Sequence, residues 1–247
     1  MPALSKLPIA ANVAVIGASG GIGAEFVRQF SAAQHIAQVH AFSRVEVGFA
    51  DEKVLSHRID ITDEDSIRNA ALAAGAEAPL DAVIVATGML HAGSIQPEKS
   101  LTQIDPQAML EVMQVNAVGP ALVAKHFLPR MRRDTRTVFA ALSARVGSIA
   151  DNRLGGWASY RASKAALNML LKTAAIEQAR RFPECIIVGL HPGTVDTGLS
   201  KPFQRRVPEG QLFTPEKSVT HLCRVIDGLS PTDSGRCFAW DGNAVDY

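Results

Sequence analysis

The segment from Val13 to Phe30 constrains the fold more than any other part of the sequence. It runs from the apolar stretch VAVI through the glycine-rich turn GASGGIG into an amphipathic stretch that ends at Phe30. A continuous apolar run is typical of a parallel strand covered on both faces, and the pattern after the glycines is typical of a helix packed on that strand. The segment therefore predicts a strand–turn–helix unit near the start of the chain.

Apolar runs of this kind recur along the chain and alternate with helical patterns. Three helices have clear N-terminal signals, with N-caps predicted at Thr62, Asp105 and Thr214. Strands that alternate with helices predict an α/β fold: a single Rossmann-type doubly wound domain over residues 1–247, with a seven-stranded parallel sheet flanked by helices. The predicted strands are Val13–Gly17, Val39–Ser43, Leu55–Asp60, Ala82–Thr87, Thr137–Ser143, Ile186–Leu190 and Arg236–Trp240.

The composition narrows the classes of partner. A formal net charge of +1 over 247 residues gives no bulk electrostatic reason to bind nucleic acid or an anionic membrane. The longest apolar runs are shorter than the roughly 20 residues that a membrane span needs. Cys185, Cys223 and Cys237 are odd in number and form no CxxC pair, which is typical of reduced thiols. We therefore expect a cytoplasmic protein without a metal site that binds neither nucleic acid nor membrane.

The glycine turn after the first predicted strand is a candidate phosphate site. In a doubly wound sheet, ligands bind at the carboxyl ends of the strands. Gly17, Gly21 and Gly23 let the backbone approach a diphosphate closely, and the helix that follows offers free N–H groups. The alternative is a tight turn that binds nothing. The position of the turn after the first strand of an α/β chain favours a dinucleotide.

The next two predicted strands end in residues that bear on cofactor choice. Ser43 and Arg44 stand where an acidic residue would select NAD(H). Because a guanidinium can bind a 2′-phosphate bidentately, Arg44 predicts NADP(H) in preference to NAD(H), the alternative being a solvated loop charge. Asp60, at the end of the third strand, can accept from the adenine amino group or help to cap the following helix, and both alternatives remain open.

Ser143, Tyr160 and Lys164 form the candidate catalytic group. Tyr160 and Lys164 are four residues apart on one helical face, and Ser143 ends the fifth predicted strand. An ammonium about 4 Å from a phenol favours the phenolate by ~4 kcal/mol at an effective dielectric near 20, more than the roughly 2.7 kcal/mol that two pKa units require. We therefore predict an acid–base pair, with Ser143 holding the substrate oxygen. The alternative places Tyr160 in the core and Lys164 in solvent.

Five segments resemble the motifs of the short-chain dehydrogenase/reductase family in their usual order: GASGGIG, VNAVGP, LSARVGSIADN, GGWASYRASKAALNM and HPGTVDT. The loop and helix around Tyr160 resemble most closely its C-factor-like and sniffer-like carbonyl reductase branch. The resemblance covers nearly the whole chain and implies hydride transfer between NAD(P)(H) and a small carbonyl or alcohol substrate. It also implies a homodimer or homotetramer.

The resemblance and the strand ends together define the predicted site. The predicted catalytic residues are Asn116, Ser143, Tyr160 and Lys164. The predicted cofactor-binding residues are Gly17, Ser19, Gly21, Ile22, Gly23, Ser43, Arg44, Asp60, Ile61, Ala86, Thr87, Gly88, Tyr160, Lys164, Pro192, Gly193, Thr194, Val195 and Thr197. The family pattern implies that Lys164 binds the nicotinamide ribose and lowers the pKa of the Tyr160 phenol, and that Asn116 holds a water against Lys164. From its residues alone, Asn116 is either a satisfied core amide or the residue that bends its helix.

Two departures from the family pattern stand out. Val85 replaces the asparagine that braces the fourth strand in the family, which puts that bracing in doubt, and 17 positions separate Ser143 from Tyr160, more than is usual. Residues 197–213 are predicted to form a substrate lid over a modest apolar ketone or aldehyde. A rival hypothesis is a C-factor-like signalling or nucleotide-binding protein with little turnover, which would have no need of an acid–base pair.

Overall fold

The alternating apolar and amphipathic segments fold into ten strands and six α-helices across residues 3–247, which the computed structural model describes apart from the side chain of Arg206. The strands are β1 Ala11–Ile16, β2 Ile36–Ser43, β3 Val54–Arg58, β4 Ala82–Val85, β5 Thr137–Leu142, β6 Cys185–His191, β7 Thr194–Val195, β8 Leu212–Phe213, β9 Cys237–Ala239 and β10 Ala244–Val245. The helices are α1 Gly21–Ser31, α2 Glu64–Ala74, α3 Pro106–Met113, α4 Gly119–Phe127, α5 Ala158–Gln178 and α6 Pro215–Gly228.

The central sheet has the strand order β10-β9-β6-β5-β4-β1-β2-β3. The order reverses at β1, which pairs with β2 on one side and β4 on the other, so the fold is doubly wound as predicted. Seven strands are parallel, but the sheet has eight members, because β10 pairs antiparallel with β9. The prediction of seven strands was therefore one short. β10 is only two residues long and follows a glycine turn at Gly242, too brief a pattern to read from sequence.

The two faces of the sheet bury separate apolar layers. Along β1, Val13 and Val15 face one layer and Ala14 and Ile16 face the other, because successive side chains of a strand point to opposite sides. One layer includes Phe26 and Phe30 of α1 with Val219, Leu222 and Ile226 of α6, and the other includes Ile67, Phe127, Leu167 and Leu171. Burial of each such side chain contributes about 1.5–3 kcal/mol. The layers hold the strand ends in fixed positions.

Two of the three predicted N-caps are confirmed. The side chain of Asp105 accepts from Ala108 N at 2.8 Å, and Thr214 Oγ1 accepts from Lys217 N at 3.2 Å. The prediction for Thr62 was wrong, because Asp63 caps α2. The reason is local: Thr62 Oγ1 donates to Asp60 Oδ1 at 2.7 Å, so its hydroxyl turns away from the helix.

The surface of the fold bears on the predicted partners. No helix in the described part of the chain is both long and apolar enough to cross a membrane. Leu110 of α3 and Met169 and Ile176 of α5 are more than half exposed. Apolar side chains on neighbouring helices suit a contact with a second copy of the chain. The homodimer or homotetramer stays a prediction, to be measured by sedimentation.

Candidate active site

The glycine turn packs directly against the end of β4. Gly17 has φ +93°, and a Cβ there would lie 3.0 Å from Ala86 C and Thr87 N. A Cβ on Gly23 would lie 2.1 Å from the carbonyl oxygen of Gly17. Since backbone atoms stand in both places, neither glycine can be replaced without moving the turn. The turn therefore forms a bare backbone surface beside the strand end, as the sequence predicted.

Two features of this turn fit an anionic cofactor. Gly20, the N-cap of α1, makes no side-chain hydrogen bond, so no cap side chain covers the amides that begin the helix. The hydroxyl of Thr87 is buried against the turn without a hydrogen-bond partner among the described residues. Buried hydroxyls are normally paired, so this one suits a polar group of a ligand. Ser19 is exposed on the turn, and Thr197 lies beside it, with its Cγ2 3.0 Å from where a Cβ of Gly21 would stand.

The end of β2 brings two guanidinium groups near one carboxylate. Hydrogen bonds from Thr62 lower the pKa of Asp60, and the charges of Arg44 and Arg58 lower it further. Asp60 thus takes the turn-forming role that the sequence left as one of two alternatives. Ser43 is buried, and its Oγ donates to Val45 O at 2.5 Å, while Arg44 is exposed. Arg58, opposite Ser43 in the sheet, was not identified from sequence because β3 was expected to run on to Asp60.

Tyr160 and Lys164 are brought together at the end of β5, as predicted. Lys164 Nζ donates to Leu142 O at 2.8 Å and lies 5.8 Å from the centre of the Tyr160 ring. Both side chains are buried, so neither is the solvated or remote group of the alternative interpretation. Ser143 ends the same strand, and its Oγ donates to Asn168 Oδ1 at 2.6 Å. Asn168 lies one helical turn beyond Lys164, a spacing from which it could have been identified.

The electrostatics of the pair differ from the prediction. Burial raises the pKa of Tyr160 to about 12 and lowers the pKa of Lys164 to about 8. Both shifts have the same cause, since removal from water disfavours the charged form of each group. The expected fall in the phenol pKa is therefore wrong for the chain's own groups, where burial outweighs the ammonium. At neutral pH, Tyr160 is a proton donor beside a lysine that is still largely charged.

Asn116 braces the segment after β4. Its Oδ1 accepts from Met89 N at 2.7 Å, and its Nδ2 donates to Met89 O at 2.7 Å and to Ser163 Oγ at 3.0 Å. The residue lies in a π-helical turn, residues 114–118, which confirms a local bend in the helix. Both amide hydrogens are used, leaving Oδ1 one lone pair for a water. Asn116 thus makes up for the missing asparagine at Val85.

The remaining predicted cofactor residues line the strand ends. Gly88 is exposed, and a Cβ there would lie 3.7 Å from Lys164 Nζ. Gly193 has φ +78°, with Phe213 and Trp240 packed against it. Pro192 O accepts from Ser218 Oγ at 2.8 Å, which fixes the turn after β6. Half-buried or buried are Ile22, Ile61, Ala86 and Val195, and Thr194 is exposed. None of the described residues forms a group of three or more His, Cys, Asp and Glu side chains that could hold a metal.

A cavity of about 750 Å³ opens beside Tyr160. Its walls come from the segment after β4, from α3 and from the short 3₁₀ helix at residues 201–206. Phe203 of that helix lies 5.1 Å from the Trp157 ring and 5.9 Å from the His91 ring. Its apolar lining is Leu90, Ile95, Pro97, Ala108, Val112, Pro202 and Phe203. The predicted lid segment therefore contributes to the wall of the cavity and contacts the start of α5.

Comparisons with known proteins agree with this geometry. The family model of the short chain dehydrogenases matches residues 11–207. The C-signal of Myxococcus xanthus is 37% identical over 148 residues, which cover 60% of this chain and 84% of that protein. The NADPH-bound carbonyl reductase from chicken fatty liver superposes with a TM-score of 0.83 at 25% identity, over 98% of this chain and 97% of that one. The carbonyl reductase Sniffer of D. melanogaster gives 0.78 at 20% identity, over 96% and 100%. The chain belongs to the short-chain dehydrogenase/reductase family and is an NAD(P)-dependent oxidoreductase.

Proposed function

We propose that the protein reduces small carbonyl compounds to alcohols with NADPH. The observation that carries the proposal is the buried pair of Tyr160 and Lys164 at the end of β5, beside a glycine turn with an unpartnered Thr87 hydroxyl. A phenol and an ammonium at the ligand-binding edge of a doubly wound sheet suit acid catalysis on a carbonyl oxygen. The similarity to an NADPH-bound carbonyl reductase supports the same reaction.

Each residue of the site has a stated role in this proposal. Bound NADPH supplies a hydride to the carbonyl carbon. Tyr160 donates its phenolic proton to the carbonyl oxygen, and a pKa of about 12 keeps that proton in place until it is needed. Ser143 Oγ positions the substrate oxygen, and Asn168 in turn holds Ser143. The Lys164 ammonium, fixed by Leu142 O, stabilises the phenolate that forms.

The chain's own groups also account for cofactor binding. The amides at the start of α1 and the bare backbone at Gly17 and Gly23 suit the diphosphate. Asn116 holds the Met89 segment in place beside Gly88 and Lys164. Arg44 and Arg58 are the groups suited to a 2′-phosphate, and their closeness to Asp60 supports NADPH over NADH.

The cofactor preference gives one expected result. Arg44→Asp should lower the preference for NADPH over NADH, measured as a ratio of kcat/KM values, at least 10-fold, because a carboxylate repels the 2′-phosphate. Arg58 remains and keeps the loss moderate. Arg68→Asp is the control, since Arg68 is a surface residue of α2 paired with Asp65. An unchanged ratio in Arg44→Asp would mean that other residues recognise the 2′-phosphate.

The pH dependence of reduction gives a second. The Lys164 ammonium is present below a pKa of about 8 and is lost as the pH rises through that value, whereas Tyr160 keeps its proton to about 12. We therefore expect kcat to be level from about pH 6 to 7 and to fall ~10-fold per pH unit well above pH 8. Lys164→Arg keeps its charge, so its remaining activity should not show this fall. A fall at the same pH in that variant would assign the titration to another group.

The cavity beside Tyr160 supports a modest apolar ketone or aldehyde as substrate. Leu90, Val112 and Phe203 provide apolar walls, and residues 197–213 would form the lid. The contacts of Phe203 with Trp157 and His91 support closure of that lid over the start of α5.

The test of the proposed function is a titration with NADPH followed by a panel of ketones and aldehydes. Saturable NADPH binding with turnover of apolar carbonyls is the expected result. The similarity to C-signal favours a second candidate, a signalling protein that binds the nucleotide with little turnover. NADPH binding without reduction of any carbonyl would support that candidate and contradict the first.

A further inference from the structure

The catalytic helix begins without a cap from its own segment. Gly155, Gly156 and Trp157 all have positive φ, of +61°, +66° and +54°, and Trp157 makes no side-chain cap bond to α5. Three left-handed residues in a row cannot place an N-cap oxygen over the first turn in the ordinary extended conformation. The first-turn amide of Ser159 therefore needs an acceptor from elsewhere in the chain.

That acceptor is Glu98, which is 61 positions away in the segment after β4. Its two carboxylate oxygens lie 3.4 and 3.3 Å from Ser159 N, and its Oε1 also accepts from Ser159 Oγ. The backbone oxygen of Glu98 accepts from Trp157 N. Glu98 is only 7% exposed, so these bonds are made away from water, where hydrogen bonds to a charged group are strong.

Tyr160 is the residue next to the one that Glu98 holds. It is the third residue of α5, and its ring direction follows from how the first turn is oriented. Glu98, Ser159 and Tyr160 also line the same cavity. A carboxylate at a helix N-terminus is further favoured by the helix dipole. One side chain thus joins the cavity wall to the turn that carries the phenol.

We propose that Glu98 is a positioning residue for Tyr160 in carbonyl reduction, an inference that rests on the proposed function. It acts through Ser159 and needs no contact with substrate. Without its carboxylate, the first turn of α5 loses its cap, and the phenol departs from the position that proton donation requires. Misplacement of a catalytic group by about 1 Å costs on the order of 10²-fold in rate.

The test compares Glu98→Leu with Glu98→Gln, which keeps one acceptor oxygen. We expect Glu98→Leu to lower kcat for carbonyl reduction 10- to 100-fold with little change in the affinity for NADPH, and Glu98→Gln to recover most of the loss. Ser159→Ala in the Glu98→Leu background should cost little more, because the two residues act as one unit. Asp63→Leu, which uncaps α2 far from the site, is the control and should lower thermal stability but leave kcat unchanged.

A second measurement keeps this inference separate from the proposed function. The chain has only two tyrosines, so ¹³C-labelled phenol carbons give two NMR resonances, and Tyr247→Phe assigns them. We expect the Tyr160 resonance to shift or broaden in Glu98→Leu and to stay near its place in Glu98→Gln. An unchanged resonance, or an unchanged kcat in an active protein, would overturn the role of Glu98. If the wild type reduces no carbonyl, the proposed function fails, and the resonance still decides whether Glu98 positions Tyr160.

Discussion

Tyr160→Phe should lower kcat for carbonyl reduction by about 10³-fold while leaving the Kd for NADPH within a factor of about three. The change removes only the phenolic oxygen, so the ring still fills its buried position against Trp157. General acid catalysis by a placed group contributes typically 10²–10⁴-fold, which sets the expected loss. Stopped-flow single turnover with NADPH measures the chemical step, and quenching of protein fluorescence measures cofactor binding.

Tyr247→Phe is the matched control, because Tyr247 is the other tyrosine of the chain. Its hydroxyl donates to Gly235 O and lies outside the predicted site. This variant should reduce carbonyls at the wild-type rate. Equal activity of the wild type and Tyr160→Phe would remove Tyr160 from the proton-donor role and favour a water in its place.

Gly23→Ala should abolish measurable NADPH binding, with Kd raised at least 100-fold. Its new Cβ would stand 2.1 Å from the carbonyl oxygen of Gly17, far inside contact distance. The obstacle is backbone, so the whole turn must open, which removes the approach that the diphosphate needs. Isothermal titration calorimetry with NADPH measures the loss, and circular dichroism shows whether the sheet and helices remain.

Gly228→Ala controls for the loss of a glycine as such. Gly228 ends α6, and a Cβ there would meet nothing within 4 Å. This substitution should leave NADPH affinity unchanged. If Gly23→Ala binds NADPH as the wild type does, the glycine turn has no part in cofactor binding.

Features that depend on short-range pattern could be predicted from the sequence. Seven parallel strands have the positions expected from apolar runs, because each is covered on both faces and therefore contains few polar residues. Tyr160 and Lys164 share a helical face because of their spacing, and Gly17 and Gly23 are glycines because backbone stands where a Cβ would be. In each case the local pattern carries the structural reason.

Features that depend on contacts between distant segments could not. Glu98 stands in a loop whose sequence shows no sign that it caps a helix 61 positions later. Likewise, Asn116 holds Met89 through two backbone bonds that only the folded chain reveals. The pKa of Tyr160 was predicted to move in the wrong direction, because the spacing of Tyr160 and Lys164 says nothing of how deeply they are buried. Pairing distances alone do not determine a titration; desolvation does.

The left-handed backbone of Trp157 has a consequence for how sequences near this position can vary. A non-glycine residue in that conformation costs roughly 1–2 kcal/mol. The aromatic contacts of its ring with Phe203 and Tyr160 return about 0.5–1.5 kcal/mol each beyond burial. The two terms are similar in size and opposite in sign, so a glycine here would relax the backbone and forfeit the ring in nearly equal measure. A survey of variants scored by folding yield would rank the position as tolerant, although the tryptophan joins lid and catalytic helix.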